Sequence, residues 1–234
     1  MTLLNRQSLC DTVDRVNEAA FFGKALSKAD RDATAEWLAS RVAQAGSYSG
    51  LPAPTARDFS GRFRVFTGET INSRVGTAHI FGEEACRALL LLQPRQKQVL
   101  DALHRASEDM TKRMIHSLAS PRSHTRPGEY CCGRCSVSVW RHVLAGGLSG
   151  VNREELFSAA VKAVHANRDD KGRWKRYPFY YTVLALLEMD TPESRTELRH
   201  VAPMLERSLR RKPNSDDKYT LRRHTLAKRT LAVC

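Results

Sequence analysis

The chain has 234 residues, with 38 Lys and Arg against 25 Asp and Glu for a net charge of +13, and 41% of its residues are hydrophobic. That apolar share suffices for one large domain or two small ones without disulfide or metal staples, and it excludes a chain disordered throughout. No run approaches the roughly 20 apolar residues that span a bilayer. The opening MTLLNRQSLCD lacks the basic start and apolar stretch of a secretory signal, so a cytoplasmic protein with no membrane span is expected.

The patterns are helical nearly throughout. Ser8 to Leu26 and Ser27 to Gln44 read as two helices, with Ser27 as an N-cap and Gly46 where the second stops. Residues 1–46 are therefore expected to form a helical hairpin. The Gly-, Pro- and Ser-rich GSYSGLPAPTARDFSGRFRVFTGE follows, and residues 47–72 read as an irregular connecting loop.

Residues 73–212 then repeat one grammar: a loop, an apolar helix and a more polar helix. Val75 to Leu92 precedes Gln96 to Ala119, Gly133 to Ala145 precedes Val151 to Asn167, and Tyr180 to Met189 precedes Glu193 to Arg211. Asn152 with Glu155 gives a capping-box pattern, and Thr191 caps a helix whose first turn tolerates Pro192. Pro203 should kink the last helix or end it early.

Gly61-Arg62-Phe63, Gly128-Glu129-Tyr130 and Gly172-Arg173-Trp174 each put Gly-x-aromatic ahead of an apolar helix. Glycine allows a sharp turn and the aromatic ring fills the gap between hairpins. The unequal spacing of these loops makes the repeat degenerate. The expected fold is all-α, built of stacked helical hairpins as an α/α-toroid-like arc or a HEAT-like solenoid.

NRDDKGRWKRYPFYYTVLALLEM resembles the glycine-x-tryptophan repeat of the terpene cyclase and protein prenyltransferase superfamily, and GEYCCG is similar to the Gly-x-Tyr and Cys-Gly elements that open its inner helices. The likeness covers about residues 128–190. It implies inner helices whose leading ends converge on an axis. The acidic DxDD motif of the cyclases is absent, Asp169-Asp170 alone cannot replace it, and the chain is shorter than those enzymes, which suits an open arc.

On that arrangement a concave pocket would be lined by Tyr130, Cys131, Cys132, Cys135, Trp174, Tyr180 and Tyr181, and would take an apolar or thiol-reactive small molecule or peptide. No nucleophile triad, phosphate loop or HExxH motif marks a reaction. Three chemistries fit Cys132-Gly133-Arg134-Cys135. Zinc takes about four N or S ligands, of which Cys132 and Cys135 supply two; Cys131 points elsewhere in a regular chain, and His79, His124 or His165 is available from other segments.

A dithiol redox pair is the second reading, because a helix starting near Gly133 would lower the pKa of Cys132 through its dipole and Arg134. No strand pattern precedes the motif, unlike a thioredoxin. Core packing is the third: Cys135, Val139 and His142 follow the i, i+4, i+7 spacing of one buried face, although CSVSV also alternates like a strand. Cys86, in EEACRALLLL, reads as core, and His79 as either hydrogen-bonded core or a ligand.

From Arg195 to Cys234 there are eleven Lys and Arg against four Asp and Glu, an excess of +7. This supports an alternative from another class, a basic helical-repeat protein binding nucleic acid through Arg207, Arg210, Arg211, Lys212, Arg222, Arg223, Lys228 and Arg229. Residues 213–234 form the basic C-terminal segment. Leu221, Leu226 and Leu231 are five apart and form no single stripe, which predicts a helix loosely docked and entered through the mobile linker RKPNSDD.

Overall fold

The computed structural model describes residues 2–120, 126–210, 213 and 216–234. Among these the regular structure is ten helices, with isolated backbone bridges and no strand, so the all-α expectation holds. The helices are α1 (Leu9–Phe22), α2 (Lys28–Ser40), α3 (Ala56–Ser60), α4 (Arg74–Leu92), α5 (Lys97–Ala119), α6 (Gly133–Leu144), α7 (Arg153–His165), α8 (Phe179–Met189), α9 (Pro192–Leu209) and α10 (Lys218–Leu231). No described helix is long and apolar enough to cross a membrane. The chain divides into two compact units, the first Met1–Phe66, Thr70–Arg113 and Arg141–Val151, the second Thr67–Glu69, Met114–Trp140 and Asn152–Cys234.

In the first unit α1, α2 and α3 pack against α4. Ser8 caps α1 by accepting from the Asp11 amide, and the helix ends four residues before Leu26 because Gly23 turns left-handed at φ 64°. The second helix stops at Ser40, ahead of Gly46. Its successor Arg41 instead clamps the returning chain, donating from Nε to the Ala53 carbonyl (3.0 Å) and from Nη2 to that of Pro54 (3.1 Å). The connecting segment also contains the short α3, which carries the buried Asp58.

In the second unit α9 packs against α7, α8 and α10. Asp190 and Thr191 join α8 to α9 as a tight helical hairpin, and Thr191 forms a capping box with Ser194. Asn152 likewise caps α7 by accepting from the Glu155 amide. Pro203 does not end α9, which continues to Leu209. The apolar α8 buries Tyr181 to Leu186 and Met189.

The expectation of a loosely docked C-terminal helix is overturned. α10 packs on both α9 and α8. Its buried stripe is Arg222, Leu226, Ala227 and Thr230, at the four-residue spacing of one helix face, while Leu221 is 39% exposed. A search for leucines alone misses it, because an arginine stem and a threonine supply half of the face. Of the linker RKPNSDD, Arg211, Lys212, Asn214 and Ser215 lie outside the described residues. Since Leu226 is only 1% exposed, Leu226→Ala should cost about 2–5 kcal/mol in denaturant unfolding. Removal of α10 should lower the thermal midpoint sharply, and an unchanged midpoint for both variants would restore the loose-docking expectation.

Candidate functional site

The three clustered cysteines belong to a turn that leads into α6, and that turn is built around Glu129. Gly128 adopts φ 81°, which favours glycine, and its carbonyl accepts from the Trp140 indole at 2.8 Å. The carboxylate of the fully buried Glu129 accepts from the Arg126 amide (2.7 Å) and from the Tyr177 hydroxyl (2.5 Å), and Arg176 lies 3.6 Å away. Its carbonyl accepts from the Ser117 hydroxyl. Burial, then the Glu129 hydrogen bond, raises the Tyr177 pKa and keeps the phenol protonated as a donor. Ser136 closes the turn, donating to the Cys132 carbonyl and accepting from the Tyr130 amide at 2.9 Å.

Glycine is required at 133 for another reason. A Cβ there would lie 2.1 Å from the Arg176 carbonyl oxygen, so the backbone at 176 crosses the start of α6 only because no side chain intervenes. That crossing brings Tyr177 onto Glu129 and stacks its ring on Trp140 at 5.8 Å.

On this support the sulfurs converge. The Sγ atoms of Cys132 and Cys135 are 3.3 Å apart, and those of Cys131 and Cys135 lie within 4.8 Å of each other. Cys132 is exposed, Cys131 half-buried and Cys135 buried. Hydrogen bonding from Cys131, then from Cys135 and from the amides of Cys135 and Arg134 at the start of α6, holds the Cys132 thiol far below the usual range and favours thiolate. Cys10 and Cys86 are buried elsewhere, and burial raises both pKa values.

Of the pocket residues expected from the sequence, Tyr130, Cys131, Cys132 and Cys135 share this turn. The buried Trp174 instead donates its indole N–H to Glu197 at 3.2 Å, and Tyr181 is fully buried with its amide on Glu69. Tyr180 lines a separate cleft beside Arg223. His165 binds Glu197 through Nδ1 at 2.9 Å, and His124 lies outside the described residues. Sequence reasoning missed Glu129, Tyr177 and Arg176. The signal available was an acidic residue inside the Gly-x-Tyr motif itself, where a solvated charge would not be expected.

Helix α6 is helical through CSVSV, and burial extends beyond the single expected face to every residue from Cys135 to Val143. Its last turn belongs to the first unit, where the Glu84 carboxylate accepts from Arg141 Nη1 and from Asn17 Nδ2, both at 2.9 Å. Arg87 also binds Asn17. His79, on α4, stacks on Tyr48 at 4.0 Å, with Nε2 2.9 Å from Glu83. His142 is fully buried and neither ring nitrogen has a partner among the described residues. It borders a cavity of about 410 Å³ floored by Leu90, Leu100 and Leu103.

The basic residues proposed for nucleic acid separate by exposure. Arg207, Arg210, Lys228 and Arg229 are exposed and Arg223 half-buried, whereas Arg211 and Lys212 lie outside the described residues. Arg222 is 1% exposed and packs against Tyr219, so its assignment as a phosphate contact is withdrawn. No protein-family model matches the chain, and neither a curated protein nor a solved structure is significantly similar to it.

Burial, with Arg87 adding to it, lowers the His142 pKa from 6.5 to about 3. The unfolded chain therefore takes up this proton first. Its contribution to stability is complete above the unfolded value and is lost as pH falls from about 6.5 towards 3. Unfolding titrations should show a shallower acid decline for His142→Gln than for the wild type over this window; parallel declines would exclude a neutral buried imidazole.

Proposed function

We propose that this helical protein binds a thiophilic divalent metal, zinc in the first instance, through Cys131, Cys132 and Cys135. The observation that carries the reading is the convergence of three sulfurs on one turn, with Cys132 and Cys135 3.3 Å apart and Cys131 within 4.8 Å of Cys135. Tetrahedral zinc with Zn–S bonds of about 2.3 Å requires thiolate sulfurs roughly 3.8 Å apart, which the turn meets with small adjustments. The fourth position would be left for another side chain, water or a ligand. A reducing compartment such as the cytoplasm suits free thiols. The toroid-like arrangement of the hairpins is proposed with it, supported by the positive φ of Gly128 and Gly172 ahead of their aromatic partners.

A second reading, dithiol exchange, is favoured by the asymmetry of the pair: Cys132 is exposed and Cys135 buried behind it. The Cys132 thiolate would attack an external disulfide, and Cys135 would displace the second thiol to leave an internal disulfide.

One set of variants separates the two. Protein purified without an affinity tag should carry one equivalent of zinc by elemental analysis, and cobalt replacement should give a thiolate-to-cobalt charge-transfer band. Cys131→Ser should weaken metal binding and leave disulfide formation between Cys132 and Cys135 intact, as read by mass spectrometry after oxidised dithiothreitol. Failure to bind either metal would sink the metal reading, and the absence of an internal disulfide under these conditions would sink the redox one.

A further inference from the structure

Some arginines of the second unit pair with carboxylates and others do not. Arg168, Arg176 and Arg195 each approach a carboxylate, of Glu197 at 3.0 Å, Glu129 at 3.6 Å and Asp190 at 2.7 Å respectively. Arg173, Arg207 and Arg223 form no ion pair among the described residues. All three line one cleft of about 390 Å³ bounded by α8, α9 and α10, together with Phe179, Tyr180 and His224. Among the described residues no carboxylate lines it, and Asp217, which accepts from the lining Thr220, is an electrostatic partner of Arg223.

Two of these guanidinium groups are positioned by aromatic rings. Arg173 lies 5.2 Å from the Phe179 centroid and Arg223 lies 4.8 Å from that of Tyr180, and Arg223 Nε also donates to the Thr67 carbonyl. Arg207, in the last turn of α9, is exposed, and among the described residues it donates to the Met204 sulfur at 3.8 Å. Asp217 offsets only Arg223, and gathering Arg173 and Arg207 with no ion-pair partner among the described residues is unfavourable unless an anion joins them. Planar forks suit phosphate oxygens, and rings beside them suit a nucleobase; a bare phosphate would have no use for that surface.

We propose that this cleft binds a nucleoside phosphate, free or within a single-stranded nucleic acid, with Arg173 and Arg207 on the phosphates and the base against the Tyr180–Arg223 and Phe179–Arg173 stacks. The site is independent of the cysteine turn, so its failure leaves the metal reading standing. It narrows the basic surface expected from the sequence to a few residues, and Arg173 joins them from the loop ahead of α8.

The test is fluorescence anisotropy of a labelled oligothymidylate at low salt, with thymidine monophosphate and inorganic phosphate as competitors. The double variant Arg173→Ala/Arg207→Ala should raise Kd by roughly tenfold or more, and Tyr180→Leu should do likewise. A control pair with the same charge loss, Arg153→Ala/Lys162→Ala on the exposed face of α7, should change Kd little. Competition by the monophosphate but not the oligonucleotide's length would identify the free nucleotide as the source, and binding that strengthens with length would identify the nucleic acid. The proposal is overturned if neither probe binds, if the control pair weakens binding as much as the cleft pair, or if inorganic phosphate competes as well as the monophosphate. Circular dichroism melts of each variant ensure that a loss of affinity is not a loss of fold.

Discussion

Burying the carboxylate of Glu129 is the constraint on which the cysteine turn depends. An ionised carboxylate removed from water is destabilised by several kcal/mol unless its lone pairs are taken up by donors. Here the Arg126 amide and the Tyr177 phenol do so, with the Arg176 guanidinium 3.6 Å away as counter-charge, from residues on both sides of α6 in sequence. Satisfying one side chain therefore fixes the loop before the helix and the chain that crosses its start. Gly133 is the steric condition for that crossing, since any Cβ would strike the Arg176 carbonyl. The sulfurs acquire their spacing from this frame.

Other buried carboxylates act in the same manner within each unit. In the first, Asp58 accepts from the Ser8 hydroxyl and the Leu9 amide at the start of α1, and from the Thr55 amide of its own loop. A negative charge at that position also complements the helix dipole. In the second, Glu197 on α9 gathers His165 from the end of α7, Arg168 from just beyond it and the indole of Trp174 from the loop before α8. Each carboxylate joins segments distant in sequence by directed bonds, where apolar packing alone would tolerate sliding. Removing any one donor strands a buried charge, so these clusters specify geometry more than they add net stability.

Which parts of this were legible beforehand follows from the same distinction. The starts of α7 and α9 were readable because Asn152 and Thr191 accept from amides a few residues away and Pro192 fits a first turn, and capping is local chemistry. Gly23 is an equally local stop, and a helix drawn to Leu26 leaves it unused. The stripe of α10 and the all-round burial of α6 were not readable. Both bury Arg, His or Ser, and hydrophobic periodicity assigns such residues to solvent. Their partners, Glu84 for Arg141 above all, lie far along the chain. The proximity of Cys132 and Cys135 was legible for the opposite reason, because one turn holds both; Cys131, expected to point elsewhere in a regular chain, joins them because the turn is irregular. The grouping of Trp174, Tyr180 and Tyr181 with them rested on an assumed global arrangement, and those three side chains meet other partners.

A third thiol beside a C-x-x-C pair changes what the pair can do. In a dithiol exchanger the mixed disulfide on the exposed sulfur must be resolved by the buried one, and selectivity depends on no other thiol reaching it first. Cys131 hydrogen-bonds the Cys132 sulfur directly, so it would compete with Cys135 for that step. For a metal the same crowding is favourable, since each added thiolate replaces a water ligand and the positive end of α6 stabilises the accumulated negative charge before the ion arrives. The turn is also held by bonds that do not pass through the sulfurs: Ser136 on the Cys132 carbonyl, Trp140 on the Gly128 carbonyl and Tyr177 on Glu129. A site supported in this way loses little conformational entropy on binding an ion, and that difference in preorganisation is what favours the metal reading over exchange.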